Sequence, residues 1–305
     1  MSAYIAVVGG VNIDVCGRSA APLIPADSNP GEISSSLGGV GRNIAHNLAL
    51  LGGEVKLLTA LGGDDGAQRV RTSCRALGID LSFSLTVPEA ATSSYLCIEG
   101  PDGDMALALS DMAIYERLTP DWFAAVLPVL NAAALIVLDA NLPAESIDFL
   151  AGRCTAPLMA DPVSAAKAPR LRGALGRLHT LKPNRLEAEA LSGVAITDDV
   201  SACRAADELL KTGLRRVFLT LGPDGVLAAE GAQRLRLPNP PQRMVNASGC
   251  GDAFTAALAW AATQGADLGA AARCGLAAAA VAMESAETVN PALSPDRIRS
   301  RMELN

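Results

Sequence analysis

Short apolar runs rich in β-branched residues alternate along the chain with longer segments of helical periodicity, and this alternation constrains the fold most strongly. The strand-like runs fall at 4–9, 54–59, 134–139, 157–161, 178–182 and 216–221. The helix-like segments lie between them, at 41–51, 66–77, 120–131, 143–152, 184–192 and 200–212. Because the strand-like runs are continuously apolar, we expect them to be buried on both faces of a mostly parallel sheet. The alternation therefore predicts a three-layer α/β/α architecture.

Two segments interrupt this alternation and predict a second, smaller sheet. Residues 15–37 hold short segments around the turn-like PADSNPG, and residues 82–110 hold alternating segments around PDGD. Pro-Asp-Gly between alternating segments is typical of a hairpin. We expect the two segments to form a small antiparallel β lid over a cleft, with decorative hairpins as the alternative. The predicted core then comprises residues 1–14, 38–81 and 111–305.

Charge, cysteine spacing and hydropathy exclude several functional classes. The net charge is −7 and no run of five basic residues occurs, so we expect no nucleic acid partner. The seven cysteines include no C-x-x-C pair, and their spacing indicates neither a disulfide framework nor a zinc motif. The alanine-rich stretch 270–283 contains Arg273 and is too short to span a membrane. The sequence predicts a soluble cytoplasmic protein.

The sequence NASGCGD at 246–252 opens directly into the amphipathic segment AFTAALAWAATQG. Backbone N–H groups of such a loop and the positive end of the following helix are suited to bind a phosphate. Asp252 is then either an ordinary helix N-cap or a base that orients and deprotonates an attacking hydroxyl. We expect the helix terminus to lower the pKa of Asp252 and make it a weak base. No P-loop motif and no G-x-G-x-x-G after the first strand are present.

Polar residues that suit a sugar follow the first strand. Asn12 and Asp14 are two residues apart and can project on the same side of a strand. An amide and a carboxylate together suit vicinal hydroxyls, although a turn or capping role is the alternative. GGVGRN at 38–43 then opens a helix, where Gly39 permits close approach of a ligand and Asn43 can both donate and accept hydrogen bonds.

Four motifs occur in an order that resembles the ribokinase family, also called the PfkB carbohydrate kinases. They are NID at 12–14, GGVGRN at 38–43, NRLE at 184–187 and GCGD at 249–252, and the resemblance covers essentially the whole chain. The resemblance implies a ribokinase-like fold and transfer of the γ-phosphoryl group of ATP to a sugar hydroxyl, with Mg²⁺. It implies Asp252 as the base and an anion hole at Gly249, Cys250 and Gly251. It also implies sugar binding by Asn12, Asp14, Gly39 and Asn43, and nucleotide binding by Asn184, Thr220, Gly222, Gly225 and Asn290.

The same resemblance implies two cation sites and an oligomeric state. Glu187 would help to hold the water shell of Mg²⁺, and a capping box with Asn184 is compatible with that role. Asn246 and Ser248 lie where many members bind a monovalent cation such as K⁺. The family often has D-T-x-G-A-G-D here, so Asn246 removes a carboxylate from that site, although a backbone carbonyl could still serve as a ligand. Family members often dimerise through the lid, which implies a homodimer.

Longer phrases resemble the members of the family that phosphorylate the 5′-hydroxyl of pseudouridine. They include ADSNPGEI, TSSYL, DPVSA and HTLKPNRLEAEALSG. This resemblance implies a small-molecule nucleoside substrate. It implies that Asp27, Asn29, Thr92 and Tyr95 contact the nucleoside from the lid, with Asn141 as a further candidate. The alternatives are another kinase of the family, for ribose, fructose, adenosine, cytidine or uridine, and a non-catalytic nucleotide- or sugar-binding protein.

Overall fold

The computed structural model describes residues 4–303 of the chain, so residues 1–3 and 304–305 of the predicted core lie outside the described residues. The described strands are β1 (Ile5–Val8), β2 (Asn12–Ser19), β3 (Gly31–Gly38), β4 (Val55–Leu58), β5 (Ala60–Gly62), β6 (Leu85–Val87), β7 (Ser94–Glu99), β8 (Met105–Asp111), β9 (Leu135–Asp139), β10 (Leu158–Asp161), β11 (Thr180–Leu181), β12 (Arg216–Thr220), β13 (Val226–Glu230) and β14 (Gln233–Leu237). The described α-helices are α1 (Val40–Leu50), α2 (Asp65–Ala76), α3 (Pro120–Asn131), α4 (Ala144–Arg153), α5 (Arg185–Ser192), α6 (Asp199–Lys211), α7 (Cys250–Thr263), α8 (Leu268–Met283) and α9 (Pro295–Met302).

The central sheet has the strand order β14-β13-β12-β11-β10-β9-β1-β4. The six neighbouring strands from β12 to β4 in this order are parallel. β13 and β14 extend the edge beside β12 in antiparallel pairing. Each of the six predicted strand-like runs contains a strand of this sheet, which confirms the mostly parallel arrangement. Because parallel strands end at one edge, the polar residues that end β9 and β10 lie close to the loop after β1.

Helices cover both faces of the central sheet and bury one apolar cluster on each side. One cluster includes Ile44 of α1, Phe254 of α7 and Val281 of α8, all at most 2% exposed. The cluster on the other face includes Phe123 of α3 and Ile147 of α4. These two clusters confirm the three-layer architecture. Within the described residues, no helix is long and apolar enough to cross a membrane.

The smaller sheet, which we call the lid, has the order β3-β2-β7-β8. β2 and β3 form one antiparallel hairpin, β7 and β8 form another, and β2 joins them by pairing in parallel with β7. The separate small sheet is therefore confirmed. Its first strand begins at Asn12, and residues 85–87 pair with β5 rather than with the lid.

Glycines let α1 begin directly against the end of β1. Gly39 has φ +92°, and a Cβ there would lie 2.5 Å from the carbonyl oxygen of Gly10. A Cβ on Gly41 would lie 2.8 Å from the carbonyl carbon of Gly9. Both contacts are too close for any other residue. The start of α1, and with it Asn43, is thereby held beside the carboxyl edge of the central sheet.

Candidate active site

Asp252 lies in the first turn of α7 and contacts Asn43 of α1. The N-cap of α7 is Gly249, with φ +77° and no side-chain cap, so the N-cap interpretation of Asp252 is wrong. The Asp252 carboxylate instead accepts a hydrogen bond of 2.8 Å from the Asn43 side-chain amide. Two motifs separated by 209 residues therefore meet at one carboxyl group.

The environment of Asp252 raises its pKa to about 7. Burial is the largest cause, since it disfavours the charged carboxylate, and the negative charge of Asp161 adds to it. The hydrogen bond from Asn43 and the positive charge of Lys182 act in the opposite direction. The prediction that the helix terminus lowers this pKa is therefore wrong, because loss of hydration outweighs the favourable local charges. A carboxyl group with a pKa near 7 is a stronger base than expected.

A buried ion pair near Asp252 is not predicted by the sequence motifs. The amino group of Lys182 lies 2.9 Å from the Asp161 carboxylate, and both side chains are less than 10% exposed. The Thr255 hydroxyl of α7 donates a hydrogen bond of 2.8 Å to the same carboxylate. Lys182 Nζ also lies 3.2 Å from the position that a Cβ on Gly251 would occupy. A positive charge thus lies directly behind the backbone of the predicted anion hole.

Burial of Lys182 is outweighed by its acidic neighbours. Asp161, Glu187 and Asp252 together raise the pKa of Lys182, so its amino group stays protonated. The sequence does contain a signal for this ion pair. The apolar strand-like runs LMAD and TLK end on the charged residues Asp161 and Lys182. Charged side chains at such positions are rarely buried unless they are paired.

The residues predicted to bind a sugar come together where the lid joins the core. Asn12 accepts a hydrogen bond of 2.7 Å from the Ser93 hydroxyl, which fixes its side-chain amide. Burial raises the pKa of Asp14, and the positive charge of Arg42 partly offsets this. A Cβ on Gly38 would overlap with the Asp14 carboxylate, so this carboxylate lies against the backbone that leads into α1.

A second polar cluster connects β1, β9 and the loop after β9. Asp139 accepts hydrogen bonds from the backbone N–H groups of Gly10, at 2.8 Å, and Asn141, at 2.9 Å. The Asn141 side chain in turn accepts a bond of 2.6 Å from the amino group of Lys167. Burial lowers the pKa of Lys167, while Asp139 opposes that effect. Asn141 is among the residues predicted from the sequence, whereas Asp139 and Lys167 are not.

A cavity of 360 Å³ lies on the other side of the NASGCGD loop. It is lined by Cys250 and Gly251 and by predicted nucleotide-binding residues, namely Asn184, Thr220, Gly222 and Gly225. Leu186, Phe254 and Met283 add apolar surface. Asn290 does not line this cavity, because its side chain is buried and donates a hydrogen bond of 2.6 Å to the Val281 carbonyl oxygen. The cavity has the size and the mixed lining of a small-molecule site.

Glu187 is held at the start of α5 by a capping box with Asn184, as the spacing predicted. The carboxylate accepts hydrogen bonds from the Asn184 backbone, at 2.8 Å, and from its side-chain amide, at 2.9 Å. Burial raises the pKa of Glu187, and Lys182 opposes this effect. The buried carboxylate is thereby fixed within range of the charges of Lys182 and Asp161.

The predicted lid contacts have mostly local partners. Asn29 exchanges hydrogen bonds with the backbone of Ile24, and Asp27 accepts one of 2.7 Å from the N–H of Ser28. Thr92 donates a hydrogen bond of 2.6 Å to Asp64, the N-cap of α2. These three side chains therefore stabilise turns and a helix end. Tyr95 differs, since it is paired with Asp14 across β2 and β7 and lies on the same face of the lid.

The loop before Gly249 carries the residues predicted for a monovalent cation. The Asn246 side-chain oxygen accepts a hydrogen bond of 2.9 Å from the Ser248 N–H. Its amide nitrogen donates one of 3.0 Å to the Ala286 carbonyl oxygen. Both polar atoms of Asn246 are thus engaged within the loop and its neighbour.

Comparisons with known proteins show the family of the chain and agree with its fold. The sequence model of the family described as "pfkB family carbohydrate kinase" matches residues 2–295. The chain is 37% identical over 302 residues to pseudouridine kinase of Escherichia coli K12, covering 98% of this chain and 96% of the relative. A carbohydrate kinase structure from Agrobacterium tumefaciens is 34% identical, with a TM-score of 0.89 and coverage of 99% and 98%. Arabidopsis thaliana ribokinase complexed with ribose and ATP has a TM-score of 0.90 at 19% identity, with both chains fully covered.

Proposed function

Because this chain belongs to the PfkB family of carbohydrate kinases and is thus a phosphotransferase that acts on a hydroxyl group, we propose that it phosphorylates pseudouridine. The proposed reaction transfers the γ-phosphoryl group of ATP to the 5′-hydroxyl and gives pseudouridine 5′-phosphate. Similarity to the Escherichia coli pseudouridine kinase along nearly the whole of both chains supports this choice of acceptor. ATP is the proposed donor, since a structural neighbour was solved with ribose and ATP.

The observation that carries the proposal is the position of Asp252. Its carboxylate is bonded to Asn43 on the acceptor side, while Gly251, one residue before it, lines the cavity on the nucleotide side. A group in that position can reach a hydroxyl that points toward the cavity. With a pKa of about 7, Asp252 is ionised in a large share of molecules at neutral pH and still accepts a proton readily.

The chemical step follows from these positions. Asp252 accepts the proton of the acceptor hydroxyl while the oxygen of that hydroxyl forms a bond to the γ-phosphorus. The bond between the γ-phosphorus and the oxygen that bridges it to the β-phosphorus breaks, and ADP leaves. Asn43 orients the carboxylate. The N–H groups at the start of α7 stabilise the charge on the transferred group, and Lys182 adds a positive charge behind them.

The residues present fit a magnesium ion that accompanies the nucleotide. Glu187 is a carboxylate bonded to Asn184, which lines the cavity, and Mg²⁺ prefers oxygen ligands and usually keeps several waters. Glu187 would hold such waters, with Asn184 fixing its orientation. When bound, the ion would neutralise part of the phosphate charge.

The residues fit a potassium ion less well. Position 246 offers no carboxylate, and both polar atoms of the Asn246 side chain already have partners. The proposed step therefore does not depend on K⁺.

The lid is proposed to close over the acceptor and exclude water, which limits hydrolysis of ATP. Asn12 and Asp14 belong to β2 of the lid sheet, so movement of this sheet would carry acceptor-binding groups with it. Structures determined without and with a bound nucleoside would test this. An unchanged lid position would contradict the proposed closure.

A substrate panel tests the proposed acceptor. ADP release, measured with a coupled assay, should be fastest with pseudouridine among pseudouridine, uridine, cytidine, adenosine, ribose and fructose. Phosphorylation without a preference for pseudouridine would contradict the acceptor assignment and leave the kinase assignment intact. Absence of ADP release with every compound would instead favour a non-catalytic binding protein.

Replacement of the proposed base tests the mechanism. Asp252→Asn should lower kcat by at least about 10²-fold, because a positioned proton acceptor typically contributes that much or more. The substitution preserves shape, so the KM for the acceptor should change little. Asp296→Asn, at an exposed position of α9, is the matched control and should leave turnover unchanged. Equal turnover of Asp252→Asn and the wild type would refute the proposed role.

A further inference from the structure

Two thiol groups lie side by side on the lid although they are far apart in the sequence. Cys16 of β2 and Cys97 of β7 are directly paired in the parallel register of these strands. The next pair on the same face is Arg18 with Glu99. The Cys16 and Cys97 sulfurs and a Glu99 carboxylate oxygen all lie within 4.8 Å of one another. The structure thus brings together a cluster that cysteine spacing could not reveal.

These distances suit a thiophilic cation. Zinc bound by two cysteines at about 2.3 Å each, in tetrahedral geometry, separates the two sulfurs by about 3.8 Å. The side chains therefore need to move by only about 1 Å. All three residues are half-buried, so the cluster is accessible to an ion. Serine and alanine occupy the flanking paired positions, Ser34 on β3 and Ala108 on β8, and leave space around the thiols.

The charges around the cluster also balance. Binding of a divalent cation would release the protons of both thiols, so that two thiolates and one carboxylate surround the ion. The resulting charge of −1 faces Arg18, whose guanidinium donates hydrogen bonds of 2.8 and 2.9 Å to one oxygen of Glu99. Arg18 thereby holds the Glu99 carboxylate in place and neutralises the remaining charge.

We propose that Cys16, Cys97 and Glu99 form a binding site for a thiophilic divalent cation such as Zn²⁺, with the fourth ligand position open. The site differs from the proposed magnesium site, since Mg²⁺ prefers oxygen ligands. It lies on the lid face that carries Asp14, two residues along β2 and thus about 7 Å away. Asp14 is proposed to bind the acceptor, so this part of the inference rests on the proposed function: an ion bound there would lie on the acceptor-facing surface and reduce acceptor binding.

A cadmium titration tests the site without any nucleoside, so its result is independent of the proposed function. Cd²⁺ is the probe, because thiolate ligands give it an ultraviolet charge-transfer band. The reduced full-length protein should show this band with one equivalent of Cd²⁺. A large excess of Zn²⁺ should weaken the band by competing with Cd²⁺ for the thiolates. Cys16→Ser and Cys97→Ser should each weaken the site by at least about tenfold. Cys203→Ser, at a half-buried thiol of α6, is the matched control and should keep the full band.

Two outcomes would overturn the proposal. One is absence of a charge-transfer band in the wild type, and the other is an equal band in the wild type and both lid variants. Glu99→Gln keeps the shape of the side chain and should weaken Cd²⁺ binding while leaving both thiols in place. Micromolar Zn²⁺ should raise the acceptor KM of the wild type. The factor of this rise should be at least about tenfold larger in the wild type than in Cys97→Ser. An equal rise in both proteins would refute the placement on the acceptor-facing surface.

Discussion

Asp252 is subject to two opposing effects, and their balance determines what it can do. Asn43 and Lys182 stabilise its charged form, whereas burial and Asp161 destabilise it. Burial is the largest of these effects, so the pKa is raised to about 7. A carboxyl group with an ordinary pKa would be a poor proton acceptor, and one with a much higher pKa would be protonated in the cell. The observed balance suits general base catalysis at neutral pH.

This balance predicts a pH dependence. A raised pKa means that about half of the folded molecules retain the Asp252 proton at pH 7, and the active, ionised share falls as the pH drops below that value. The kcat/KM for the acceptor should therefore rise about tenfold per pH unit below about pH 6 and level off above about pH 7.5. Steady-state kinetics at saturating ATP between about pH 5 and pH 9 would measure this.

The residual activity of Asp252→Asn is the control for that profile. Because the side-chain amide introduced by this substitution does not titrate, the rate of the variant should show no rise centred near pH 7. A wild-type profile that is flat between about pH 5 and pH 8 would contradict the assignment of Asp252 as the base.

The sequence predicted some of these residues and missed others for a physical reason. Asp252, Asn43 and Glu187 lie in local motifs, where glycines or a capping pattern mark the backbone that each one needs. Lys182 and Asp161 lie at the ends of separate strands, and their pairing depends on the order of strands in the sheet. The pKa of Asp252 was mispredicted because its largest cause is burial by residues distant in the sequence. Local geometry was therefore predictable, and long-range electrostatics was not.

At the scale of elements, α7 and α8 pack through small side chains. Alanines such as Ala256 and Ala257 of α7 and Ala277 and Ala278 of α8 are fully buried. Small residues let the two helix backbones approach closely, so that the position of α7 is fixed without large side chains. The alternation of strands and helices was likewise predictable from periodicity. β13 and β14 were missed because they follow β12 in antiparallel pairing with no α-helix between them, so the alternation does not mark them.

Gly275 of α8 tests how tight this packing is. Alanine in a helix interior is favoured over glycine by about 1 kcal/mol. A Cβ on Gly275, however, would lie 2.7 Å from the ring of Phe254, which also lines the cavity proposed for the nucleotide. Overpacking of a core costs about 1–3 kcal/mol, so the clash should dominate. Gly275→Ala should lower the thermal midpoint and raise the KM for ATP.

Gly269→Ala in the same helix is the matched control for Gly275→Ala. The nearest atoms to a Cβ there are 3.4 Å away, which is ordinary van der Waals contact. This variant should be as stable as the wild type or more stable, as measured by thermal denaturation. Equal midpoints for the two variants would show that the contact with Phe254 relaxes freely.

At the scale of the whole molecule, the outer face of the lid is apolar and exposed. Ile33, Leu107 and Leu109 are 82%, 59% and 62% exposed. Together with Leu96 and Ile98 they lie at alternating positions on one face, opposite the face of Asp14 and Tyr95. Such a continuous apolar face is typical of an interaction surface. We propose that a second copy of this chain covers it, which gives the homodimer that the family resemblance implies.

The oligomeric state tests this proposal. Leu107→Lys combined with Leu109→Lys should convert the dimer into a monomer, because charged side chains would be buried without partners at the interface. Light scattering coupled to size-exclusion chromatography measures the mass. Val200→Lys changes an exposed apolar residue of α6 and should leave the mass unchanged. A wild type that is monomeric at micromolar concentration would contradict the proposal.

The lid leaves the core after Gly10 and returns through Gly38 and Gly39, and its second hairpin is a separate excursion between Ser94 and Asp111. Apart from Asn43, the residues proposed for the phosphoryl step lie far along the chain, in residues 182–187 and 249–252. Evolution can therefore change the lid strands and the residues of the phosphoryl step separately. Mutations that accumulate in the lid strands can change the acceptor while the proton-accepting apparatus stays intact. In this architecture, a new substrate preference can evolve without passing through an inactive ancestor.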